Sequence, residues 1–429
     1  MSGATTPPTK MSRDSILTDL QSIVGTEHVG SGAEAGLFVV DENHPHVVVH
    51  PGTYEEVASV MSFANNHGLA VIPWGIGNQM HLGNVPRKYE IALSLSRLAA
   101  IIEHEPADLT VTCQAGMHAS KLAERLGESS QLVPFRISIT PFGTVGGMLA
   151  SGNHGSPRDF TIGMRIVTTD GRITRAGGGV VKNVAGYDLC KLYIGSRGTL
   201  GVIVEATFKL QPLPQATENF DLEFDSVHAA CNFVSQGQKK GIDMHNAILT
   251  KLQIDYVPIG GYRVRAEIGS TATAVDRCRQ EISELAARQG GQPFDARRFE
   301  QGSSDVPDWI LQGDRLACSI RVLASDTGRL FEALQAEGRS PIILAWPTTG
   351  EIEATWLGVI DQWSLLERLR KTVMRAGATL AVTHCDPELK RKIDVFDEVP
   401  AKTLDLMRRI KQQFDPKGTL SPGRFVGRL

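Results

Sequence analysis

The sequence has little that would tie it to a metal cluster, a membrane or a nucleic acid. Its six cysteines (Cys113, Cys190, Cys231, Cys278, Cys318 and Cys385) are widely scattered, and no two form a Cys-x-x-Cys pair. Such spacing points to isolated thiols in a reducing compartment rather than to disulfides or metal ligands. An iron–sulfur centre needs clustered cysteines, so any such centre belongs to another polypeptide. No apolar run reaches the roughly 18 residues of a membrane-spanning helix. A formal net charge of -3 gives no electrostatic reason to expect nucleic acid or an anionic membrane as partner. Met1 to Arg13 is rich in Ser, Thr and Pro and lacks the apolar core of a secretory signal, so it reads as a loose tail, with cytoplasm as the expected compartment. A hydrophobic share of 41% and a charged share of 21% leave a globular chain, and 429 residues predict two domains or one with a large insertion.

Glycine, at 43 residues, is where the sequence is informative. Val71 to Gln79 (Val-Ile-Pro-Trp-Gly-Ile-Gly-Asn-Gln) reads as a short apolar strand running into a loop. Gly75 and Gly77 present no side chain there, so backbone N–H groups can gather on one anion. A Gly-x-Gly alone is equally an ordinary turn. A dinucleotide-binding βαβ unit needs a helix opening at the last glycine, yet His81 to Arg87 holds Gly83 and Pro86 and has no helical period. The helix lies before the loop instead, with Val57, Val60, Met61 and Ala64 on one face, Thr53 and Glu56 as a capping box, and Gly68 at its end.

Further along, Ser15 to Val24 predicts a short helix and Leu109 to Ala115 a half-buried strand. The five glycines between Pro141 and Gly155 argue against a helix or strand interior there, because each would carry an entropic cost. Asp170-Gly171 predicts a hairpin turn, and Pro212 with Pro214 marks a domain boundary. The second half reads as two β-α-β-β modules side by side, an antiparallel sheet backed by helices, with Gln289 to Asp314 as a loop. A last helix carries Leu404, Met407, Ile410 and Phe414, is stopped by Pro416, and leads into an ordered tail. The expected organisation is a tail over 1–14, a first α+β domain over 15–214, a second over 215–399, and a C-terminal helix and tail over 400–429 that pack on the first.

Taken in order, Pro51-Gly-Thr-x-Glu-Glu-Val57, Pro73-Trp-Gly-Ile-Gly77, Thr144-Val-Gly-Gly147, Arg158-Asp159 with Gly163, Asp170-Gly-Arg172, Lys182-Asn-Val-Ala-Gly-Tyr-Asp188 and Gly198-Thr-Leu-Gly-Val-Ile203 resemble the FAD-binding domain of the vanillyl-alcohol oxidase and p-cresol methylhydroxylase superfamily. The resemblance covers roughly His46 to Leu213, and Asp415-Pro-Lys-Gly418 with Pro422-Gly423 extends it. Within the superfamily the residues are most similar to the smaller flavin-domain subunit of bacterial glycolate oxidase. The resemblance implies an α+β fold in which FAD lies between two subdomains, a ferredoxin-like α+β cap covers the isoalloxazine, and the C-terminal tail returns to the flavin domain. It also implies partners: a larger FAD subunit and an iron–sulfur subunit of a glycolate oxidase-like complex, on the cytoplasmic face of the membrane.

On that resemblance the FAD contacts are expected at Pro73, Trp74, Gly75, Ile76, Gly77, Asn78 and Gln79, at Pro141, Thr144, Gly146, Gly147, Gly152, Asn153, His154 and Gly155, and at Gly201, Val202 and Ile203. Covalent members carry a histidine in or just after the first glycine loop; Asn78 and Gln79 stand there in this chain, so the FAD is expected to be non-covalent and His81 an ordinary loop residue. Oxidation of a hydroxy acid needs a base and a cation for the carboxylate. His154, Lys182 and Tyr187 are the catalytic candidates, each with a packing role as the plainer alternative. His384 in Thr383-His-Cys-Asp386 lacks the glycine turn of the larger relatives' cap motif. Arg424 is weighed between a substrate-carboxylate contact and a C-terminal ion pair. No metal site is expected. The readings left open are a flavin subunit of a 2-hydroxy-acid dehydrogenase complex, a stand-alone FAD oxidoreductase, and a scaffold that keeps the fold.

Overall fold

The computed structural model describes residues 11–134, 143–152, 157–178, 187–244, 246–254, 257–294, 314–338 and 341–429. Two compact units result: Met1–Leu213 with Glu398–Leu429, and Pro214–Asp397.

The first unit opens with α1 (Arg13–Val24), whose Ile16, Leu20 and Val24 are buried. Strands β1 (Val29–Ser31), β2 (Val47–Val49), β3 (Val71–Trp74) and β4 (Ile91–Ser94) form a sheet of order β1-β2-β4-β3, with β2 and β3 parallel to β4. Every residue of β2 and β4 is buried, as expected of parallel strands covered on both faces. Helix α2 (Tyr54–His67) packs Val57, Val60, Met61 and Ala64 into this core and ends at Gly68 in the left-handed region (φ 65). Thr53 Oγ1 accepts from Glu56 N at 3.1 Å, but the returning carboxylate takes the Gly52 amide at 2.6 Å rather than that of Thr53.

The same unit holds an antiparallel sheet. Its strands are β5 (Ile101–Glu105), β6 (Thr110–Gln114), β8 (Thr161–Val167), β9 (Ile173–Gly177) and β10 (Val202–Lys209), in the order β5-β6-β10-β8-β9. Helix α3 (Ala119–Gly127) precedes β7 (Gln131–Leu132), which pairs with β11 (Gln211–Pro212). Helices α4 (Val145–Ser151), α5 (Pro157–Phe160) and α6 (Cys190–Tyr193) are short, and α12 (Ala401–Phe414) brings the C-terminal segment back to this unit.

A polar pin joins α2 to the antiparallel sheet. Tyr54 Oη donates to Glu205 Oε2 at 2.8 Å, Arg165 Nε lies 3.3 Å from Glu205 Oε1, and the guanidinium sits 4.8 Å over the Tyr54 ring. Burial pushes the Tyr54 phenol up to about 12, so it stays a donor. Glu205→Gln keeps the shape and removes the charge that faces Arg165. It should cost about 1–3 kcal/mol, the range for a partly buried charged hydrogen bond, read as a lower midpoint in urea denaturation. An unchanged midpoint would show that the pin contributes no net stability.

In the second unit, β12 (Ala216–Phe224), α7 (Val227–Lys239), β13 (Ile248–Ile254), β14 (Val257–Ser270), α8 (Ala272–Arg288) and β15 (Gln292–Pro293) form one β-α-β-β-α-β module. The module repeats as β16 (Arg315–Arg321), α9 (Thr327–Gln335), β17 (Ile342–Trp346), β18 (Glu351–Leu357), α10 (Gln362–Arg375) and β19 (Thr379–His384), followed by α11 (Pro387–Lys392). The eight strands form one sheet of order β15-β12-β14-β13-β17-β18-β16-β19. The modules meet edge to edge where Leu249 and Thr250 pair with Ala345 and Leu344. Alternation explains the single buried face, since Leu316, Cys318 and Ile320 on β16 and Ile352, Ala354 and Trp356 on β18 point the same way. The α+β reading of both halves therefore holds. The Gln289–Asp314 loop falls mostly outside the described residues.

Candidate FAD site

The first glycine loop is built on a fixed aromatic wall. Trp74, at the end of β3, donates its indole N–H to Tyr89 Oη at 2.6 Å and meets Phe38 edge to face at 5.0 Å. Burial pushes the Tyr89 phenol well above its ordinary range. Gly77 follows with φ +83, and a Cβ there would stand 2.5 Å from a carbon of the Trp74 ring. A Cβ on Gly75 would stand 2.2 Å from Thr144 Oγ1. These glycines let the chain pass close to Trp74 and Thr144. Among the described residues none accepts a hydrogen bond from the Gly75, Ile76 or Gly77 amide, so the loop offers three donors to a ligand.

The second glycine stretch corrects an expectation. Gly146 and Gly147 lie inside the short helix α4, capped by Thr144 Oγ1, which accepts from Gly147 N at 3.3 Å, and ended by Gly152 at φ 65. Close packing offsets the entropic cost of glycine, because a Cβ on Gly146 would stand 2.8 Å from Ala115 Cβ. The early helix amides are already committed: Val145 N donates to Met117 O at 2.9 Å and Gly146 N to Ala115 O at 2.7 Å. This segment lends the site its surface rather than its donors.

Loop, helix and the turn after α6 line a cavity that is partly open to solvent, a concave setting typical of small-molecule sites. Pro73, Trp74, Gly75, Ile76, Gly77, Asn78 and Gln79 line it, as do Thr144, Gly146, Gly147, Gly201 and Ile203. Gly152 and Val202 do not: the first is spent on ending α4, and the second is buried in β10. Pro141, Asn153, His154, Gly155 and Lys182 lie outside the described residues. Tyr187 is 95% exposed and does not line the cavity, because the chain runs on the surface from Tyr187 to Leu189 before Cys190 and Tyr193 turn inward.

Two arginines line the cavity, Arg424, which the sequence singled out, and Arg197, which it did not. Arg424 is 3% exposed, and its Nη2 donates to Met80 O at 2.8 Å and Leu82 O at 2.5 Å. Its Nη1 lies 3.7 Å from Asp41 Oδ2. The ion pair weighed for Arg424 in the sequence is made, to Asp41, and the guanidinium holds loop carbonyls as well. Burial pushes the Arg424 pKa down while Asp41 pulls it up. Arg197, in the left-handed region at φ 53, is lowered to about 10 by burial and by the like charge of Arg424, and remains a cation at neutral pH. No local signal marks Arg197, since its place depends on how the turn packs.

The arrangement fits FAD: a loop with uncommitted amides, apolar lining from Leu95, Ala115 and Ile203 for a ring, and cations for an anion. Comparison with known proteins agrees. Residues 45–177 match the FAD binding domain family, and residues 343–425 match the C-terminal domain of FAD linked oxidases. The chain is 33% identical to the D-2-hydroxyglutarate dehydrogenase of Xanthomonas citri pv. viticola over 89% of each protein. It is 29% identical to glycolate oxidase subunit GlcD of Bacillus subtilis over 45% of this chain, spanning 43% of that protein. Its fold superposes on p-cresol methylhydroxylase with a TM-score of 0.71 at 15% identity, covering 96% of each chain. A two-domain chain with this cavity and these matches belongs to the FAD-linked oxidase family of the vanillyl-alcohol oxidase and p-cresol methylhydroxylase fold.

Proposed function

We propose that the chain is the FAD-binding subunit of a complex that oxidises a 2-hydroxy acid, glycolate or D-lactate, and passes the electrons to a partner iron–sulfur subunit. Residues 15–214 and 400–429 hold the flavin, and 215–399 form the cap. A larger flavoprotein subunit completes the assembly, which is cytoplasmic. When bound, FAD supplies the two-electron acceptor. The chain's own residues seat the cofactor: Gly75, Ile76 and Gly77 donate amides, Trp74 forms a rigid wall, and Leu95, Ala115 and Ile203 offer apolar contact. With Asn78 and Gln79 following the loop glycines, the flavin is held without a covalent bond.

The observation that carries this reading is the make-up of the cavity. Its lining joins the Gly75, Ile76 and Gly77 amides, which no described residue accepts from, to the apolar side chains of Leu95, Ala115 and Ile203. That supports a chain that binds flavin. A stand-alone oxidoreductase is the second reading, favoured by the match over 89% of both chains to a dehydrogenase.

The purified chain should show flavin absorbance and bleach under anaerobic glycolate or D-lactate only when its partner subunits are present. Bleaching of the isolated chain would favour the stand-alone enzyme. A colourless protein that FAD does not reconstitute would rule out both.

A further inference from the structure

We propose that Arg424 is a positioning residue for the flavin, and that seating of the C-terminal tail and retention of FAD are coupled, each stabilising the other. The tail over Thr419–Phe425 bonds to both limbs of the glycine loop. On the entry limb, β3, Val71 N donates to Thr419 O at 2.8 Å and Ser421 N to Val71 O at 2.9 Å. On the exit limb, Asn84 N donates to Arg424 O at 3.0 Å, Arg87 N to Pro422 O at 2.9 Å, and Asn84 Nδ2 to Phe425 O at 2.9 Å. A strap that holds both limbs fixes the span between them, and that span contains Gly75, Ile76 and Gly77.

Arg424 carries the constraint into the loop itself. Its Nη2 donates to Met80 O at 2.8 Å and to Leu82 O at 2.5 Å, so one nitrogen fixes two carbonyls. Each of those residues closes a turn that starts in the loop: Met80 N donates to Gly77 O at 3.2 Å and Leu82 N to Gln79 O at 3.1 Å. Gly77 is thus joined to the guanidinium through a single residue, Met80. The fit between tail and exit limb leaves little slack. A Cβ on Gly83, at φ +92, would stand 2.6 Å from Arg424 O, and one on Gly423, at φ +87, would stand 2.7 Å from Arg87 Cγ. Two glycines, one on each side, let the backbones interlock. A ligand that needs the loop in place binds the tail-seated form, and by linkage it stabilises that form in the same measure.

The proposal rests on FAD as the cofactor, and the test separates the two. Amide hydrogen exchange of the full-length protein is followed by mass spectrometry with and without FAD, in the parent and in Arg424→Gln and Arg424→Lys. In the parent, FAD should slow exchange of the 416–429 segment at least about fivefold more than that of α1, the lower end of a site-to-site coupling. Helix α1 belongs to the same unit and reports its overall stability. Arg424→Gln should weaken FAD binding roughly ten- to a hundredfold. It should also bring the tail's FAD-dependent protection down toward that of α1, because the tail then keeps its bonds to β3 but no longer fixes Met80 and Leu82. Arg424→Lys, with one ammonium in place of the fork, should fall between. Equal slowing of tail and α1 in a parent that binds FAD would reduce the tail to ordinary packing and overturn the coupling alone, as would parent-like FAD affinity in Arg424→Gln. If that variant does not fold, the parent's own comparison decides. A parent chain that binds no FAD would overturn the cofactor assignment and the coupling together.

Discussion

Gly77→Ala should leave a folded protein that no longer retains flavin. At φ +83 the backbone is in the left-handed region, where an L-residue costs roughly 1–2 kcal/mol. The larger effect is steric: the new Cβ would lie 2.5 Å from the Trp74 ring. That ring is held by its hydrogen bond to Tyr89 and its edge contact with Phe38, so the loop has to yield. As it yields, the Gly75, Ile76 and Gly77 amides lose the alignment needed to bind one anion together. A displacement of about 1 Å is enough to forfeit charge-assisted hydrogen bonds of roughly 1.5–3 kcal/mol each. We expect at least about a hundredfold loss of FAD affinity, measured as flavin absorbance per chain after gel filtration, with an unchanged far-ultraviolet circular dichroism spectrum. Full flavin occupancy in the variant would show that the cofactor's anion is seated elsewhere.

Asp415→Ala should be the most destabilising single change in the C-terminal segment. Asp415 is 2% exposed and accepts from Thr419 N and Leu420 N, each at 2.8 Å, and from Lys411 Nζ at 2.5 Å. The ammonium also donates to Thr199 O at 2.8 Å and Leu420 O at 2.9 Å, so α12, the tail and the turn carrying Arg197 are tied at one point. From that point the tail runs alongside β3, with Val71 N donating to Thr419 O and Ser421 N to Val71 O, and it delivers Arg424 to the cavity. Burial already pushes the Lys411 pKa down, opposed by Asp415. Removing the carboxylate leaves a buried cation and two unpaired amides, at a cost of about 3–5 kcal/mol. The thermal midpoint should fall by on the order of 10 °C, accompanied by flavin loss, because Arg424 no longer braces the loop. Lys411→Met should be milder, since it leaves both amide bonds to Asp415 in place. If the two variants unfold at the same temperature, the amide bonds add nothing to the ion pair.

The legible part of this protein was local. Helix α2 could be placed because its apolar period, its Thr53 cap and its closing Gly68 are all contained in neighbouring residues, and the structure repeats them. The hairpin at Asp170-Gly171 was visible for the same reason, with Gly171 at φ +82. The second glycine stretch misled. Glycine argues against a helix through its own entropy, whereas α4 forms because glycine alone fits against Ala115, a contact made across distant sequence. That Arg197 joins Arg424 at the cavity was hidden in the same way. Arg197 and Arg424 are 227 positions apart (424 minus 197), and neither stands in a pattern that announces a buried charge.

The amino-acid order alone determined segments such as α2 and the β8–β9 hairpin, that two α+β units arise, and that Val71 to Gln79 can gather backbone donors on an anion, because each of these follows from neighbours in the chain. Only the folded molecule decided that α4 spends its own amides, that Tyr187 faces solvent, and that the tail turns back to set Arg424 beside Met80 and Leu82. Those outcomes depend on close packing and charge burial between residues far apart in sequence, and no periodicity along the chain encodes which distant surfaces will meet.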